Sequence, residues 1–510
     1  MKRNKKIYSA ITGIILSLSL INFTHVKVLA EGNTEAALDI GKQLVKEYYI
    51  EEIPDAKLNE AKSVDNLIKS LNDPYSSYFT ENEYNDFNNS LNNSFAGIGV
   101  QIEAAAEGIK IVAVYDKSPA LEAGLKAGDI IIKAEDRSLA GMSTEEAITY
   151  IKGEAGTKVK LQIKRGNEII DFQVERRQIV LPTVVGEVLD NHIGYIRVSS
   201  FGENTIVEFK NQLKKVTTNS TDSFIIDLRN NPGGYMNVAF DMAGYFIGDK
   251  VVMKSHSKLE ETITYKAIAH NELIDKPVIF LINHYSASAS EILSAAIKDY
   301  KKAFFIGEKT YGKGVGQSLF MLPGNSYIKL TTFRFVSPLE NEINKVGISP
   351  DLVIKDNFEQ DIDSLKAATI LLNSLSPKED KSGTVKAVLA GKEFEVDLSN
   401  AKNDKNINTF KYMAANAFNE NTIFAGSKNG WEKLGQEIAL KDFLFGAEVT
   451  PPVKTEPEVK AEVEQPKAEQ QVKVFANVAV LPNTGSKVDM SFYIGLGMLF
   501  VIAGVKLKNN

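Results

Sequence analysis

Apolar positions in residues 34–92 recur at helical spacing: Leu38, Leu44, Val45 and Tyr48, then Val64, Leu67, Ile68 and Leu71. Asn72-Asp73-Pro74-Tyr75 breaks that period. Over residues 93–178 the pattern shortens to β-type runs: Ile98 to Ile102, Ile109 to Val114, Asp129 to Ala134, Lys158 to Ile163 and Ile169 to Val174. Two helical pieces interrupt them, Pro119 to Gly124 and Thr144 to Ile151. From about 190 to 355 strand and helix alternate. His192 to Ser199 reads as a strand, and Ile206, Phe209, Leu213 and Val216 form one helix face. The strands Ser223 to Leu228, Val278 to Ile282 and Ala303 to Ile306 follow, with a helix over Ala289 to Lys298. This is βαβ organisation, in which sites form at the carboxyl ends of strands. Over residues 376–447 a hairpin around Ala390-Gly391-Lys392 and a helix over Asn408 to Phe418 predict a small accessory domain. Residues 448–480, rich in Glu, Lys, Val and Pro, predict an extended, disordered linker.

The chain has 510 residues, 44% of them hydrophobic, enough for several cores. A net charge of −6 gives no basic face for nucleic acid. Without cysteine there is no thiol nucleophile, disulfide or thiolate metal site. The five histidines show no metal-ligand spacing, so neither metal nor cofactor is expected.

Both ends carry address-like patterns. Lys2, Arg3, Lys5 and Lys6 precede an apolar run from Ile7 to Phe23 and the short side chains of Val28-Leu29-Ala30, which predicts a signal peptide over residues 1–30, cleaved after Ala30. At the other end Leu481-Pro482-Asn483-Thr484-Gly485 precedes an apolar run, Met490 to Val505, and then Lys506 and Lys508. Residues 481–510 resemble the cell-wall sorting signal of Gram-positive surface proteins. That resemblance implies a sortase as partner, cleavage between Thr484 and Gly485, and linkage of Thr484 to peptidoglycan. The implied location is the cell wall, after a transient stay in the membrane.

Candidate chemistry sits at two strand ends. Ser286, Ser288 and Ser290 lie where an apolar strand gives way to a helix, and the residues alone do not rank them as nucleophile. Lys313 lies among closely spaced glycines, with no acidic residue after Glu308 until Glu340. A serine hydroxyl needs a base, and a buried lysine can be one because burial disfavours its charged form. Ala289, first in the helix, has a backbone N–H free to stabilise an oxyanion, and the Gly233-Gly234 loop offers more. His284 lies close to Ser288 in sequence with no partner acid evident, so it is not expected to act as a base.

Two resemblances sharpen this reading. Phe95-Ala96-Gly97-Ile98-Gly99-Val100 and Ser118-Pro119-Ala120-Leu121-Glu122-Ala123-Gly124 resemble the carboxylate-binding loop and the turn-helix-turn of PDZ domains. The first implies that backbone N–H groups near Ile98, Gly99 and Val100 hold a peptide's terminal carboxylate. More broadly, residues about 35–355 are similar to the carboxyl-terminal processing peptidases. The match rests on Asp73-Pro74-Tyr75-Ser76-Ser77-Tyr78, Asp227-Leu228-Arg229-Asn230-Asn231-Pro232-Gly233-Gly234, Ser286-Ala287-Ser288-Ala289-Ser290-Glu291, Gly312-Lys313-Gly314 with Gln317, and Gly347-Ile348-Ser349-Pro350-Asp351. The family's nucleophile then falls on Ser288, its base on Lys313 and its supporting glutamine on Gln317. Its oxyanion donors fall on Ala289 and the Gly233-Gly234 loop. Glu291 reads as helix support. Tyr285 and His284 depart from the family's usual pattern.

The architecture expected is therefore an α/β protease core of βαβ organisation (179–375), preceded by an N-terminal helical segment (34–92) and a PDZ domain (93–178). The accessory domain (376–447), the wall linker and the sorting signal follow. The resemblance implies proteins or peptides with free C-termini as substrates, and homo-oligomers within the family. A catalytically inactive, displayed PDZ module is the rival reading.

Overall fold

The computed structural model describes residues 30–373, 380–418, 423–428, 430–433 and 444–445. Nearly all of the expected signal peptide, and the whole of the expected linker and sorting motif, lie outside those residues. Helices Ala30–Tyr48, Asp55–Glu60, Val64–Ser70 and Glu81–Leu91 account for the helical spacing at the start of the chain. Side chains cap two of them. Ser63 Oγ accepts from the backbone of Asn66, and Thr80 and Glu83 form a reciprocal capping box. Between them the Asn72–Ser76 turn feeds a short strand, Ser77–Phe79.

Residues 94–180 form a separately packed β unit. Its six-stranded sheet begins at the edge strand Val100–Ala105, pairs it with Gly108–Val114, and continues through Ile130–Ala134, Lys158–Arg165 and Glu168–Glu175, with the short Arg137–Ser138 also paired to Ile130–Ala134. The expected run from Ile98 to Ile102 is broken at Ile98-Gly99. Ser94–Gly97 leaves the sheet to pair with Arg177–Val180 instead. Gly99 makes the break, with a φ of 80°. A Cβ there would lie 2.4 Å from Ser118 Cβ, so no side chain fits. Helix Thr144–Ile151 packs beside the edge strand, its Ala147 and Ile151 in one apolar cluster with Ile98, Val100 and Ile102.

The central sheet runs in the order Val184–Leu189, Ile193–Val198, Ser223–Asp227, Val278–Ile282, Phe304–Gly307 and Leu352–Val353. The first pair is antiparallel and the rest parallel. Its inner strands Ser223–Asp227, Val278–Ile282 and Phe304–Gly307 are buried on both faces, as parallel sheets require. Alternate residues divide between two cores. Ile226, Phe280 and Ile282 face helices Thr205–Val216, Met236–Ile247 and Ala289–Asp299. Ile225, Ile279 and Leu281 face helix Ser364–Leu372. The hairpin Thr384–Leu389/Lys392–Asp397 and the helix Ile407–Asn416 form as the pattern predicts. Their Val385, Phe394 and Phe410 share the second face's cluster, so the described part of 376–447 has no core of its own.

The alternation of strand and helix did not predict a second sheet. Ser77–Phe79, Ser326–Val336, Val251–Ser257 and Ile263–Lys266 pair in that order, and Val315–Leu322 pairs with Ser326–Val336. Gln317 lies on this sheet and Lys313 on the loop that leads into it.

Candidate active site

Ser288 stands at the junction of strand Val278–Ile282 and helix Ala289–Asp299, with φ 56° and ψ −113°. A non-glycine residue held in this region costs about 1–3 kcal/mol and persists only where its surroundings fix it. Those surroundings are specific. Ser286 Oγ donates to Leu228 O (2.7 Å), and Ser290 Oγ donates to Asn231 O (2.9 Å). Ala287 N donates to the same Asn231 carbonyl (3.0 Å). The two flanking serines thus clasp the turn to the strand-end loop 228–234 and have their hydroxyls engaged. Gly233 presses against the turn from that loop, with a φ of 107°. A Cβ on it would lie 2.9 Å from Ser288 Cβ and 3.0 Å from Ala289 N.

The expected donor loop contributes differently from its two glycines. Gly233 N–H is engaged by Asn231 Oδ1 at 2.9 Å. Among the described residues, no acceptor takes the N–H of Gly234 or of Ala289.

Lys313 lies on the loop before strand Val315–Leu322 and is 0% exposed. Its Nζ donates to Gln317 Oε1 (3.0 Å) and lies 4.7 Å above the Tyr75 ring. Burial holds its amine well below the ordinary lysine range, and the charge of Lys329 lowers it further. Asp73 and Glu291 pull the other way. Tyr75 comes from the Asn72–Ser76 turn of the N-terminal helical region. Asp73 Oδ1 accepts from Tyr75 N and its Oδ2 from Ser76 Oγ, while Ser76 Oγ accepts from Thr331 N. The N-terminal segment is therefore built into the lysine's enclosure.

Glu291 joins the serine turn to the lysine loop. It is fully buried, and its Oε2 accepts from the backbone N–H of Ser288 (2.9 Å) and of Lys313 (2.8 Å). Its Oε1 accepts from Gly312 N and Thr310 Oγ1, both at 2.6 Å. Burial raises its carboxyl above the usual range, while these four donors favour the charged form. The side chain read as helix support is thus the brace between two distant loops. Tyr311 N, donating to Ser286 O at 3.0 Å, adds a second tie.

His284 stays on the rim, its side chain 57% exposed and packed on Tyr285. A partner acid does exist, contrary to the expectation from sequence: Glu308 Oε2 is 3.4 Å from Nδ1. Glu308 N donates to Ile282 O, which brings this acid beside the strand that leads to His284. Asp227 and Arg229, in the same strand-end motif as Gly233, form a buried ion pair that reaches Asp356 and Asp363. No group of His, Asp or Glu suited to a metal ion occurs among the described residues.

Ile98, Gly99 and Val100 lie where the edge strand begins. The carbonyls of Ile98 and Gly99 accept from Ala120 N and Tyr115 N. Strand Val100–Ala105 pairs on one side only, leaving its other edge beside helix Thr144–Ile151. Lys152, at the end of that helix, lies 5.0 Å over the Phe95 ring, and burial pushes its amine down to about 8.

Comparison with known proteins follows the same division. Residues 192–354 match the model of peptidase family S41, and residues 96–175 match that of the PDZ domain. A "Probable CtpA-like serine protease" of Staphylococcus haemolyticus (strain JCSC1435) is 35% identical over 323 residues, which cover 63% of this chain and 64% of the relative. The "Carboxy-terminal processing protease CtpA" of Bacillus subtilis (strain 168) is 34% identical over 363 residues, covering 69% of this chain and 78% of the relative. The chain therefore spans a little under two thirds of the first relative's length and most of the second's. Among solved structures, the photosystem II D1 C-terminal processing protease aligns with 64% of this chain and 94% of its own, at 21% identity and a TM-score of 0.41.

Proposed function

The chain belongs to the carboxyl-terminal processing peptidases of family S41, which are serine-type peptidases, and we propose from that premise that it is an exported, wall-anchored endopeptidase with Ser288 as nucleophile and Lys313 as base. One observation carries the assignment within the site. The strained Ser288 turn and the loop of the buried Lys313 are held by the same carboxylate, Glu291.

In this reading neutral Lys313 takes the proton of Ser288 Oγ as the oxygen attacks the scissile carbonyl carbon. The N–H groups of Gly234 and Ala289 receive the developing oxyanion, the latter favoured by the helix N-terminus. Lys313 returns the proton to the departing amine. The acyl-enzyme is then hydrolysed by water that loses its proton to Lys313. Gln317 holds the amine in place between these transfers.

The PDZ domain brings the substrate. An extended C-terminal tail adds as a strand along Val100–Ala105, with its carboxylate at the backbone N–H groups near Ile98, Gly99 and Val100. Lys152 beside Phe95 supplies nearby positive charge. Signal peptide, sortase motif and peptidoglycan linkage at Thr484 complete the proposal on the sequence patterns at the two ends.

Ser288→Ala and Lys313→Ala should each reduce peptide cleavage at least about a thousand-fold with melting temperature preserved. Lys313→Arg should fail equally, because guanidinium stays protonated. Cleavage that survives Lys313→Ala and is lost in His284→Ala would replace this reading with a histidine base.

A further inference from the structure

A second lysine is buried beside the first. Lys329 lies on strand Ser326–Val336, is 2% exposed, and has its ammonium over the rings of Phe87 (5.1 Å) and Phe79 (5.6 Å). It is opposite Leu319 on one neighbouring strand and Ser77 on the other. Gln317, which holds Lys313, is opposite Thr331, two residues along the same strand, so Gln317 and Lys329 lie on one face of the sheet.

Glu291 and Asp73 both act on Lys313, and Asp73 also acts on Lys329. The bonds of Glu291 go to three backbone N–H groups and the Thr310 hydroxyl. Asp73, anchored by Tyr75 N and Ser76 Oγ in the turn that covers Lys313, is the carboxylate the two lysines share. Two ammonium groups in a desolvated space with one shared carboxylate cannot both stay charged at low cost. Lys329 has two aromatic faces to stabilise its charge, and Lys313 has one.

We propose that Lys329 is a positioning residue: it carries the ammonium of this lysine pair, beside Asp73, and so keeps Lys313 neutral and able to accept the proton of Ser288. The directions of the two shifts agree, since the charge of Lys329 is one of the causes that lower Lys313. Burial, only partly offset by Asp73, pushes Lys329 down to about 8, and Lys313 lies well below its ordinary value. An amine at about 8 keeps most of its proton near neutral pH, which fits Lys329 as the carrier of the charge. The inference rests on Lys313 being the base.

The test is the pH dependence of the rate constant for phosphonylation of Ser288 by a fluorophosphonate probe, in which Oγ bonds to phosphorus and fluoride leaves, measured on the full chain. A rate constant reports the folded molecules, so lost stability lowers the amplitude without moving the midpoint. In Lys329→Met the acid limb should move to higher pH by about one unit, a roughly ten-fold loss of rate on that limb, while the high-pH plateau is kept. Lys329→Arg retains the charge and should leave the midpoint in place. Asp73→Asn removes the shared acid and should move the limb to lower pH. An unmoved midpoint in Lys329→Met, or equal displacement in the Met and Arg variants, would show that Lys329 only packs and would overturn the proposal. Undiminished labelling of Lys313→Ala would instead remove the base assignment beneath it.

Discussion

At the scale of single residues, Glu291 has the most to lose. Changing it to Gln keeps its size but replaces an accepting oxygen with an NH2 group that faces donors. With bonds from Ser288 N, Lys313 N, Gly312 N and Thr310 Oγ1 at stake, Glu291→Gln should lower stability by about 3 kcal/mol and activity by at least about ten-fold. Thermal melts beside kcat/KM at one pH check it. An unchanged melting temperature would mean that the brace is not needed. The two flanking serines show why sequence alone left the nucleophile unranked. Ser286 and Ser290 are engaged by Leu228 O and Asn231 O, carbonyls on a loop that only the fold brings near. Glu308 beside His284 was hidden in the same way. Lys329 did leave a local trace, a lysine inside the buried run Ile328 to Phe333, but its meaning depends on Asp73 and Phe87 from the other side of the PDZ domain.

At the scale of elements, helical spacing and β alternation were readable in many segments with one face toward solvent, though the short strands Arg177–Val180, Val184–Leu189 and Ile263–Lys266 were missed. These patterns located the N-terminal helical region, most strands of the PDZ unit and two helices of the core, Thr205–Val216 and Ala289–Asp299, but not Ser364–Leu372. Ser326–Val336 escaped because it is largely buried on both sides and shows little alternation. The described part of 376–447 shows its hairpin and helix plainly in sequence, but nothing local says whose core they join. The single-sided edge strand Val100–Ala105 yields a prediction about substrates. Peptides with a free, apolar C-terminal residue should be cut about ten-fold or more faster than amidated copies, mainly through KM, because amidation removes a charge held by backbone N–H groups. Equal kcat/KM for the two would exclude tail capture at this strand.

At the scale of the whole molecule, the two terminal patterns predict a mature form running from about Glu31 to Thr484. Muralytic digestion should release it with Thr484 joined to a wall amine, as mass spectrometry of the C-terminal peptide would show. Recovery in detergent-extracted membranes with residues 485–510 attached would make the tail a plain anchor. The placement of Tyr75 has a consequence of another kind. Synthesis produces the Asn72–Ser76 turn early, the PDZ domain next, and the Lys313 loop and the Lys329 strand late. The lysine is dry only when that early turn and the late strand have met, across everything made between them. On the assignment proposed above, a half-finished chain therefore carries Ser288 without its enclosed lysine. On that assignment, completion of the fold is the step that arms the site.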